Sequence, residues 1–300
     1  RPSISTAPSV KPSFIPSVTK LLFPTFMPTM LPILEPTMAP TVEPMTTLSP
    51  TLSPTSPMSS PVQTKIIAND GAAGDEFGRS VDIYGDTMIV AAYRDESAYI
   101  FVRDSANGWS PQAKLLANDG VDGDGFGHSV GIYGNTAIVG ARRDDDNGIW
   151  SGSAYIFVRD AANNWSQEFQ LVAIDGADGD WFGTSVGIYG NTAIVGAHYD
   201  NDNGDISGSA YIFVRDVANN WIEQPKLVAS DGEAGDHFGT SVGIYGNKDT
   251  VIVGAPYDDD NGVNSGSAYI FVRDMANTWS QQSKLVANDG TAYDQFGTSV

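Results

Sequence analysis

The sequence predicts an all-β propeller that follows a long proline-rich segment, and two observations carry this prediction. The first is an internal repeat, because the dipeptide Phe-Gly returns at intervals of 49, 56, 56 and 58 residues. The second is that every repeat holds short runs of β-branched and aromatic residues bounded by Gly, Asn and Asp, which are typical of strands. The phenylalanines in register are Phe77, Phe126, Phe182, Phe238 and Phe296.

Each repeat predicts four antiparallel strands, the number in one propeller blade. The first strand reads Ser-Val-Gly-Ile, and the second follows Tyr-Gly-Asn-Thr, whose Gly-Asn supplies the positive φ of a tight hairpin. The third, at residues 209–216 for example, alternates two apolar faces and therefore lies between two layers. The fourth, less regular strand begins after Ala-Asn-x-Trp. Because one blade cannot cover its own faces, we expect the blades to stack around an axis.

The chain divides into two parts of different composition. Residues 1–61 hold 14 of the 17 prolines and none of the 32 glycines, which excludes helices and sheet ladders there. We interpret this part as a disordered Pro/Thr/Ser-rich stalk or linker, either O-glycosylated or unmodified. Residues 62–300 form the repeat domain, with repeats that begin near residues 69, 118, 174, 230 and 288, the last of them only begun.

The repeats differ in length at two predicted loops only. Lys248 and Asp249 lengthen one hairpin tip, and the first repeat lacks seven residues between Asp95 and Ser97. Loops tolerate such changes better than strands do. The length differences therefore support the placement of the strands.

Composition excludes several classes of function. The chain carries 36 acidic against 16 basic residues, a net charge of −20, so its surface repels nucleic acid and anionic lipid. Cysteine is absent, which excludes disulfides, cysteine zinc sites and thiol chemistry. The most apolar stretch, residues 21–34, is interrupted by three prolines, so we expect no membrane-spanning segment.

Three equivalent acidic loops are candidates for Ca²⁺ binding. They read Asp-Asp-Asp-Asn-Gly or Asp-Asn-Asp-Asn-Gly and so offer the oxygen ligands that calcium prefers. The standard calcium loop does not fit, because no acid occupies its first position and no glutamate closes it. A looser site stays open, and so does the alternative that these residues only favour turns. The candidate ligands are Asp144, Asp146, Asp200, Asp202, Asp258 and Asp260.

Two other repeated patterns have a structural interpretation. A pair of aspartates precedes each Phe-Gly at constant spacing, as Asp175 and Asp180 do, and we expect them to accept backbone N–H bonds in the turn between blades. The string G-x-S-x-G at residues 127–131, 183–187 and 239–243 resembles a nucleophile elbow. We predict no catalytic role for it, because its serine lies inside a strand and not on a strand-to-helix turn.

The tryptophans fall into two groups. Those that recur at one position are most simply blade packing, whereas Trp150 and Trp181 are solitary and are the better candidates for stacking on a sugar or a partner. The three histidines occupy three different repeat positions, which predicts neither a triad nor a histidine metal cluster. Asn164 stands in an N-glycosylation sequon, Asn-Trp-Ser. The recurring set is Trp109, Trp165, Trp221 and Trp279.

The repeat domain resembles the FG-GAP repeats of integrin α subunits and related extracellular proteins. Phe238-Gly239 and the run 254–256, Gly-Ala-Pro, match both halves of the motif. The resemblance implies a propeller that is seven-bladed when complete, of which this chain holds four blades and the start of a fifth. It also implies a secreted, cell-surface or matrix location and a binding or adhesion module that engages a protein or glycan through loops on one face.

One departure from that family concerns calcium. Its repeats carry a D-x-D-x-D-G loop between the Phe-Gly and Gly-Ala-Pro strands, but here that connection is only Tyr-Gly-Asn-Thr at residues 189–192. The family's calcium site therefore cannot be carried over to this position.

Two other classes of function stay open. A propeller enzyme that acts on carbohydrate would need two carboxyl groups at a defined separation, whereas the acids here repeat symmetrically. A structural wall or matrix protein would depend on the stalk more than on the ring. We expect a binding protein and not an enzyme.

Overall fold

The computed structural model describes residues 63–246 and 250–300, which form four sheets of four antiparallel strands each. In every sheet the strands follow one another in chain order, which confirms the predicted blades and the all-β fold. The predicted stalk at 1–61 and the hairpin tip with Lys248 and Asp249 lie outside the described residues. Within the described part, no helix is long and apolar enough to cross a membrane.

The strands have nearly the same bounds in every repeat. The first blade comprises β1 (Phe77–Tyr84), β2 (Thr87–Ala92), β3 (Ser97–Arg103) and β4 (Trp109–Leu115), with a 3₁₀ turn at Tyr93–Asp95. The second comprises β5 (Phe126–Tyr133), β6 (Thr136–Ala141), β7 (Ser153–Arg159) and β8 (Trp165–Leu171). The third comprises β9 (Ser185–Tyr189), β10 (Thr192–Ala197), β11 (Ser209–Arg215) and β12 (Trp221–Glu223). The fourth comprises β13 (Ser241–Tyr245), β14 (Thr250–Ala255), β15 (Ser267–Arg273) and β16 (Trp279–Leu285).

The hydrophobic core lies between the blades, one layer at each junction. Between the second and third blades, Ala154 and Ile156 of β7 pack against Tyr211 and Phe213 of β11, and all four are buried. The two faces of a third strand thus belong to two different core layers, as their alternation predicts. The phenylalanine of Phe-Gly joins the same layer, since the ring of Phe182 meets that of Tyr211 edge-on at 5.3 Å.

The glycine of Ile-Val-Gly-Ala is required by the close approach of two blades. A Cβ at Gly196 would lie 2.0 Å from the carbonyl oxygen of Gly239 in the next blade. That oxygen also accepts a hydrogen bond of 2.8 Å from Ser185 Oγ. The first blade carries Ala91 instead, and at that junction the next inner strand starts earlier, at Phe126, with an irregular register.

A glutamate replaces the loop that the first repeat lacks. In the third blade, the N–H of Phe182 donates to the backbone carbonyl of Ser151 in the preceding loop at 2.9 Å. At the first junction, the N–H of Phe126 donates instead to the Glu96 carboxylate at 2.5 Å, as does that of Gly125 at 3.1 Å. The deletion lies in the loop between β2 and β3, as predicted.

The first strands of the blades line a channel of about 590 Å³. Because neighbouring strands are antiparallel, the turns after the first and third strands lie at one end of each blade and the other connections at the opposite end. The turn of Tyr-Gly-Asn-Thr has positive φ at its glycine, for example 60° at Gly190. At that end of the channel, tyrosines from successive blades stack, with ring centroids 4.2 Å apart between Tyr133 and Tyr189.

The contact at Gly196 generates a prediction. Gly196→Ala forces a methyl group into the Gly239 carbonyl, so we expect it to lower the free energy of unfolding by about 1–3 kcal/mol, measured by urea denaturation. The control is Gly71→Ala, whose Cβ would meet nothing closer than 3.3 Å. Equal stability of Gly196→Ala and the native protein would contradict the proposed close packing.

Candidate functional site

Lysines occupy two of the three acidic loops that the sequence nominates for calcium. In the third blade, Lys226 Nζ lies 2.8 Å from Asp175 and 3.4 Å from Asp200, and it also contacts Asp202. Tyr211 completes the cluster by donating its hydroxyl to Asp200 at 2.6 Å. The ammonium group therefore lies among the carboxylates that were the predicted calcium ligands.

The fourth blade repeats this arrangement. Lys284 Nζ lies 2.8 Å from Asp258, 2.6 Å from Asp260 and 2.9 Å from Asp231. Burial alone would raise the pKa of Asp258, but hydrogen bonds from Lys284 and Tyr269 outweigh it and the pKa is lowered. The first blade holds Lys114 in the same way, at 2.7 Å from Asp70 and 2.8 Å from Asp95.

The second blade has no lysine at this position. Gln170 stands there and donates to Asp146 at 2.7 Å, while Tyr155 donates to Asp144 at 2.5 Å. Burial raises the pKa of Asp144, in contrast to that of Asp258. Among the described residues no group of three or more Asp, Glu, His or Cys side chains is arranged to hold a metal ion. Calcium binding stays a prediction at all six candidate ligands, and the pair without a lysine is the one at Asp144 and Asp146.

The second aspartate of each pair before Phe-Gly accepts a backbone hydrogen bond, as predicted, whereas the first, such as Asp175, contacts a lysine and a tyrosine instead. Asp180 accepts the N–H of Ala177 at 2.7 Å, and Asp236 accepts that of Glu233 at 2.7 Å. Both carboxylates are buried, and burial raises their pKa values to about 6. Their like-charged neighbours, Asp200 beside Asp180 for example, add to the shift.

The serines of G-x-S-x-G hold neighbouring blades together. Ser129 Oγ donates to the carbonyl of Gly183 at 2.8 Å, and Ser241 Oγ donates to that of Gly297 at 2.7 Å. Each serine lies within or at the start of a strand and not on an exposed elbow. The pattern is therefore explained by packing between blades.

The recurring tryptophans pack on their own blades, as predicted. Each begins a fourth strand and lies under the arginine that ends the third, for example with the Arg159 guanidinium 5.5 Å from the Trp165 ring. Asn164 precedes Trp165 in the exposed turn and donates to Asp160 at 3.0 Å. Glycosylation of Asn164 stays a prediction, at the end of the blade that carries the stacked tyrosines.

A group of mostly aromatic and basic side chains lies at the other end of the channel. It comes from four positions in each repeat: the residue before Phe-Gly, the residue after it, and the two residues that follow Gly-Ala or, in the first repeat, Ala-Ala. Residues after Phe-Gly, such as Arg79 and His128, line the channel. We call these sixteen residues the mouth band: Glu76, Arg79, Tyr93, Arg94, Gly125, His128, Arg142, Arg143, Trp181, Thr184, His198, Tyr199, His237, Thr240, Pro256 and Tyr257.

The band is continuous across the junction of the first three blades. The guanidinium of Arg142 lies 5.9 Å from the ring of Tyr93 and 4.4 Å from that of Trp181, both within the range of cation–π attraction. Arg143 lies 5.6 Å from Trp181 and 6.0 Å from Trp150. The two solitary tryptophans of the sequence are thus neighbours, and the N–H of Trp181 donates to the carbonyl of Trp150 at 3.2 Å.

The histidines extend the band toward the fourth blade. The rings of His198 and His237 are 5.5 Å apart, and His237 lies 4.5 Å from Tyr257. Burial, with help from nearby positive groups, lowers the pKa of His198 to about 3 and that of His128 to about 4. Both imidazoles are therefore neutral at physiological pH.

The sequence alone does not show that these residues meet. Each histidine occupies a different repeat position, and the four positions lie on two separate loops of every blade. A usable signal does exist, because these are the positions where otherwise similar repeats differ most in chemical type. Only the fold shows that the varied positions share one surface.

The FG-GAP repeat family matches residues 62–101, 109–157, 165–213, 221–271 and 279–300. The chain belongs to the FG-GAP repeat family. The matches cover most of the repeat domain and confirm the resemblance given by Phe-Gly and Gly-Ala-Pro. A search of curated proteins finds no significant match.

Solved structures of other proteins are similar to this FG-GAP domain at low identity. A protein of Lactobacillus plantarum is 14% identical with a TM-score of 0.45, over 70% of this chain and 55% of that one. The periplasmic gluconolactonase of Pseudomonas aeruginosa is 14% identical with a TM-score of 0.46, over 69% and 53%. A functionally unknown protein of Desulfotomaculum acetoxidans is 10% identical with a TM-score of 0.42, over 71% of each chain. The chain thus spans about half the length of the first two.

The lysine clusters generate a prediction about stability. Lys284→Met leaves the buried Asp258 without its cation, and we expect the free energy of unfolding to fall by about 2 kcal/mol, between the values for exposed and buried pairs. Gln170→Lys supplies the missing cation in the second blade and should raise the free energy of unfolding. Urea denaturation measures both, with the exposed Lys65→Met as control.

The Gln170→Lys variant also tests whether calcium binds in the second blade. If Ca²⁺ binds between Asp144 and Asp146, it raises the melting temperature of the native chain above that in chelator or Mg²⁺, and Gln170→Lys abolishes the rise. A rise that persists in Gln170→Lys places the ion elsewhere.

The buried aspartates generate a prediction about pH. The folded-state pKa of Asp180 is about 6, above its ordinary value of 3.8, so its contribution to stability falls as the pH rises from about 4 to 6. Asp180→Asn retains an oxygen for the Ala177 N–H and removes this loss. We expect its stability relative to the native protein to increase over that interval and to stay constant above it, as measured by urea denaturation at each pH.

Asp216 supplies a control, because its pKa is shifted in the opposite direction. Hydrogen bonds from the backbone and side chain of Asn220 lower the pKa of the exposed Asp216. Asp216→Asn should therefore lose stability relative to the native protein at neutral pH and regain it below about pH 4. A pH-independent difference for Asp180→Asn would contradict the raised pKa.

Proposed function

We propose that this FG-GAP domain is an extracellular binding module that holds a protein or glycan ligand at the mouth band. The observation that carries the proposal is the gathering of unrepeated aromatic and basic side chains from four blades on one surface. Exposed tryptophan, tyrosine and arginine are the side chains that contribute most to binding energy in protein interfaces. Membership of the FG-GAP family supports the extracellular location.

Unpaired polar atoms also support binding at this surface. His198 is buried, and its Nδ1 has no hydrogen-bond partner among the described residues. The same holds for the Nε atoms of Arg142 and Arg143. Leaving such groups unpaired costs free energy, and a ligand recovers it when binding shifts these side chains enough to expose the buried atoms.

The band favours binding over carbohydrate cleavage. Glycoside hydrolysis usually needs two carboxyl groups on either side of the scissile bond. Glu76 is the single acidic side chain of the mouth band, and it pairs with Arg94 at 3.2 Å. A purely structural wall protein is the other alternative, and it gives no reason for tryptophan and arginine to gather around the channel.

The proposal predicts which surface controls binding. We expect Trp181→Ala with Tyr199→Ala to reduce binding to immobilised extracellular glycans and matrix proteins at least tenfold, measured by biolayer interferometry. The control is Val217→Ser with Met275→Ser, two fully exposed residues in turns at the opposite end of the blades. Circular dichroism and melting temperature check that both variants are folded.

Two results would contradict the proposal. One is equal loss of binding in the mouth and control variants. The other is the absence of binding to every glycan and matrix protein tested, which would favour a structural role. Release of reducing sugars from the same glycans would instead support the enzyme alternative.

A further inference from the structure

We propose that the ligand of the mouth band is an acidic glycan, whose carboxylate or sulfate group binds between Arg142 and Arg143 while a sugar ring stacks on Trp181 or Trp150. This inference rests on the proposed binding function and specifies the chemistry of the ligand.

The basic residues of the repeats are mostly engaged elsewhere. The arginine that ends each third strand covers a tryptophan, and three lysines lie in the carboxylate clusters. The unrepeated arginines all lie in the mouth band. In a chain of net charge −20, this concentration of guanidinium groups at one surface favours an anion there. They are Arg79, Arg94, Arg142 and Arg143.

Two of these arginines have their charge available. Arg79 and Arg94 face Glu76 at 4.0 and 3.2 Å. Arg142 and Arg143, in contrast, form no ion pair with any residue that the structure describes, and their Nε atoms are buried without a hydrogen-bond partner. Stacking on tryptophan orients both groups without using their N–H donors. A planar guanidinium held in this way matches the two oxygens of a carboxylate or sulfate.

The surroundings select a sugar as the carrier of that anion. Trp150 is 51% exposed and offers an apolar face to a sugar ring, and the partly buried Trp181 lies next to it. His198 lies 5.6 Å from Trp181 and is nine-tenths buried with Nδ1 unpaired, so it places a neutral polar group beside the stacking residues. Cation, stacking face and neutral polar group together fit an acidic monosaccharide within a chain.

The charge distribution argues against a dense polyanion. Asp144, Asp145 and Asp146 follow Arg143 directly, so three acidic residues adjoin the arginine pair in the chain. A nucleic acid or a polyglutamate segment would bring several charges close to these aspartates. A glycan with no more than one charge on each sugar ring brings fewer charges near them.

The experiment measures binding of the 300-residue chain to oligogalacturonate by isothermal titration calorimetry. The methyl-esterified oligomer is the neutral reference, monosulfated keratan sulfate oligosaccharides supply the sulfated form, and a polyglutamate peptide supplies a dense anion without sugar. We expect the native chain to bind oligogalacturonate or the keratan sulfate oligosaccharide at least tenfold more tightly than the esterified oligomer and the peptide. Which acidic oligomer binds more tightly identifies the anionic group.

Arginine variants locate the site. Arg142→Gln with Arg143→Gln should reduce affinity for the acidic oligomer at least tenfold, whereas Arg159→Gln with Arg215→Gln should leave it unchanged. The two doubles remove the same charge, and the second pair lies at the opposite end of the blades, donating to Asn135 and Asn191. Melting temperatures establish that both doubles are folded.

The outcomes separate the inference from the binding function. Binding of the esterified oligomer as tight as that of the acid overturns the inference, as does equal loss in both arginine doubles. If a neutral glycan or a protein binds and Trp181→Ala weakens it, the binding function stands and the acidic-glycan inference falls. If polyglutamate binds most tightly, the ligand is an acidic protein segment and the inference is wrong.

Discussion

The structure depends on the packing of one blade against the next. Each third strand presents alanine and isoleucine on one side and tyrosine and phenylalanine on the other, and both sides are buried. A four-stranded sheet cannot cover both of its apolar faces, so a blade gains the free energy of burying them, about 25 cal/mol per Å², only from neighbours. The junction, not the blade, is therefore the unit of stability.

The charged clusters follow from that core. A tyrosine in the aromatic layer, such as Tyr211, is fully buried, and its hydroxyl needs an acceptor. Asp200 supplies the acceptor but becomes buried itself, and an unpaired buried carboxylate is costly. Lys226 from the fourth strand compensates the charge. The acidic loops, which resemble calcium ligands in sequence, are in these blades the polar edge of the hydrophobic core.

Much of the fold was predictable because each repeat contains its own local signals. The alternation in the third strand, the Gly-Asn turn and the aspartate before Phe-Gly act over a few residues, and the structure confirms each. The cluster at Asp258 was not predictable, because its partner Lys284 is 26 residues away and belongs to another strand. The conspicuous acids suggested a metal, whereas the lysine that recurs before leucine near the end of three repeats does not indicate which carboxylates it meets.

The candidate site could not be predicted from the sequence for a related reason. Recurrence exposes the residues that every junction needs, such as Phe182 and Gly196, and these are structural because every blade needs them equally. A ligand contacts one side of the ring and does not require symmetry, so its contacts lie where the repeat is broken. At the position after Gly-Ala the blades carry Tyr93, Arg142 and His198 before a proline ends the series. Such a change leaves the strand pairing unaltered, since these residues follow the end of the strand, and it is available to determine what the domain binds.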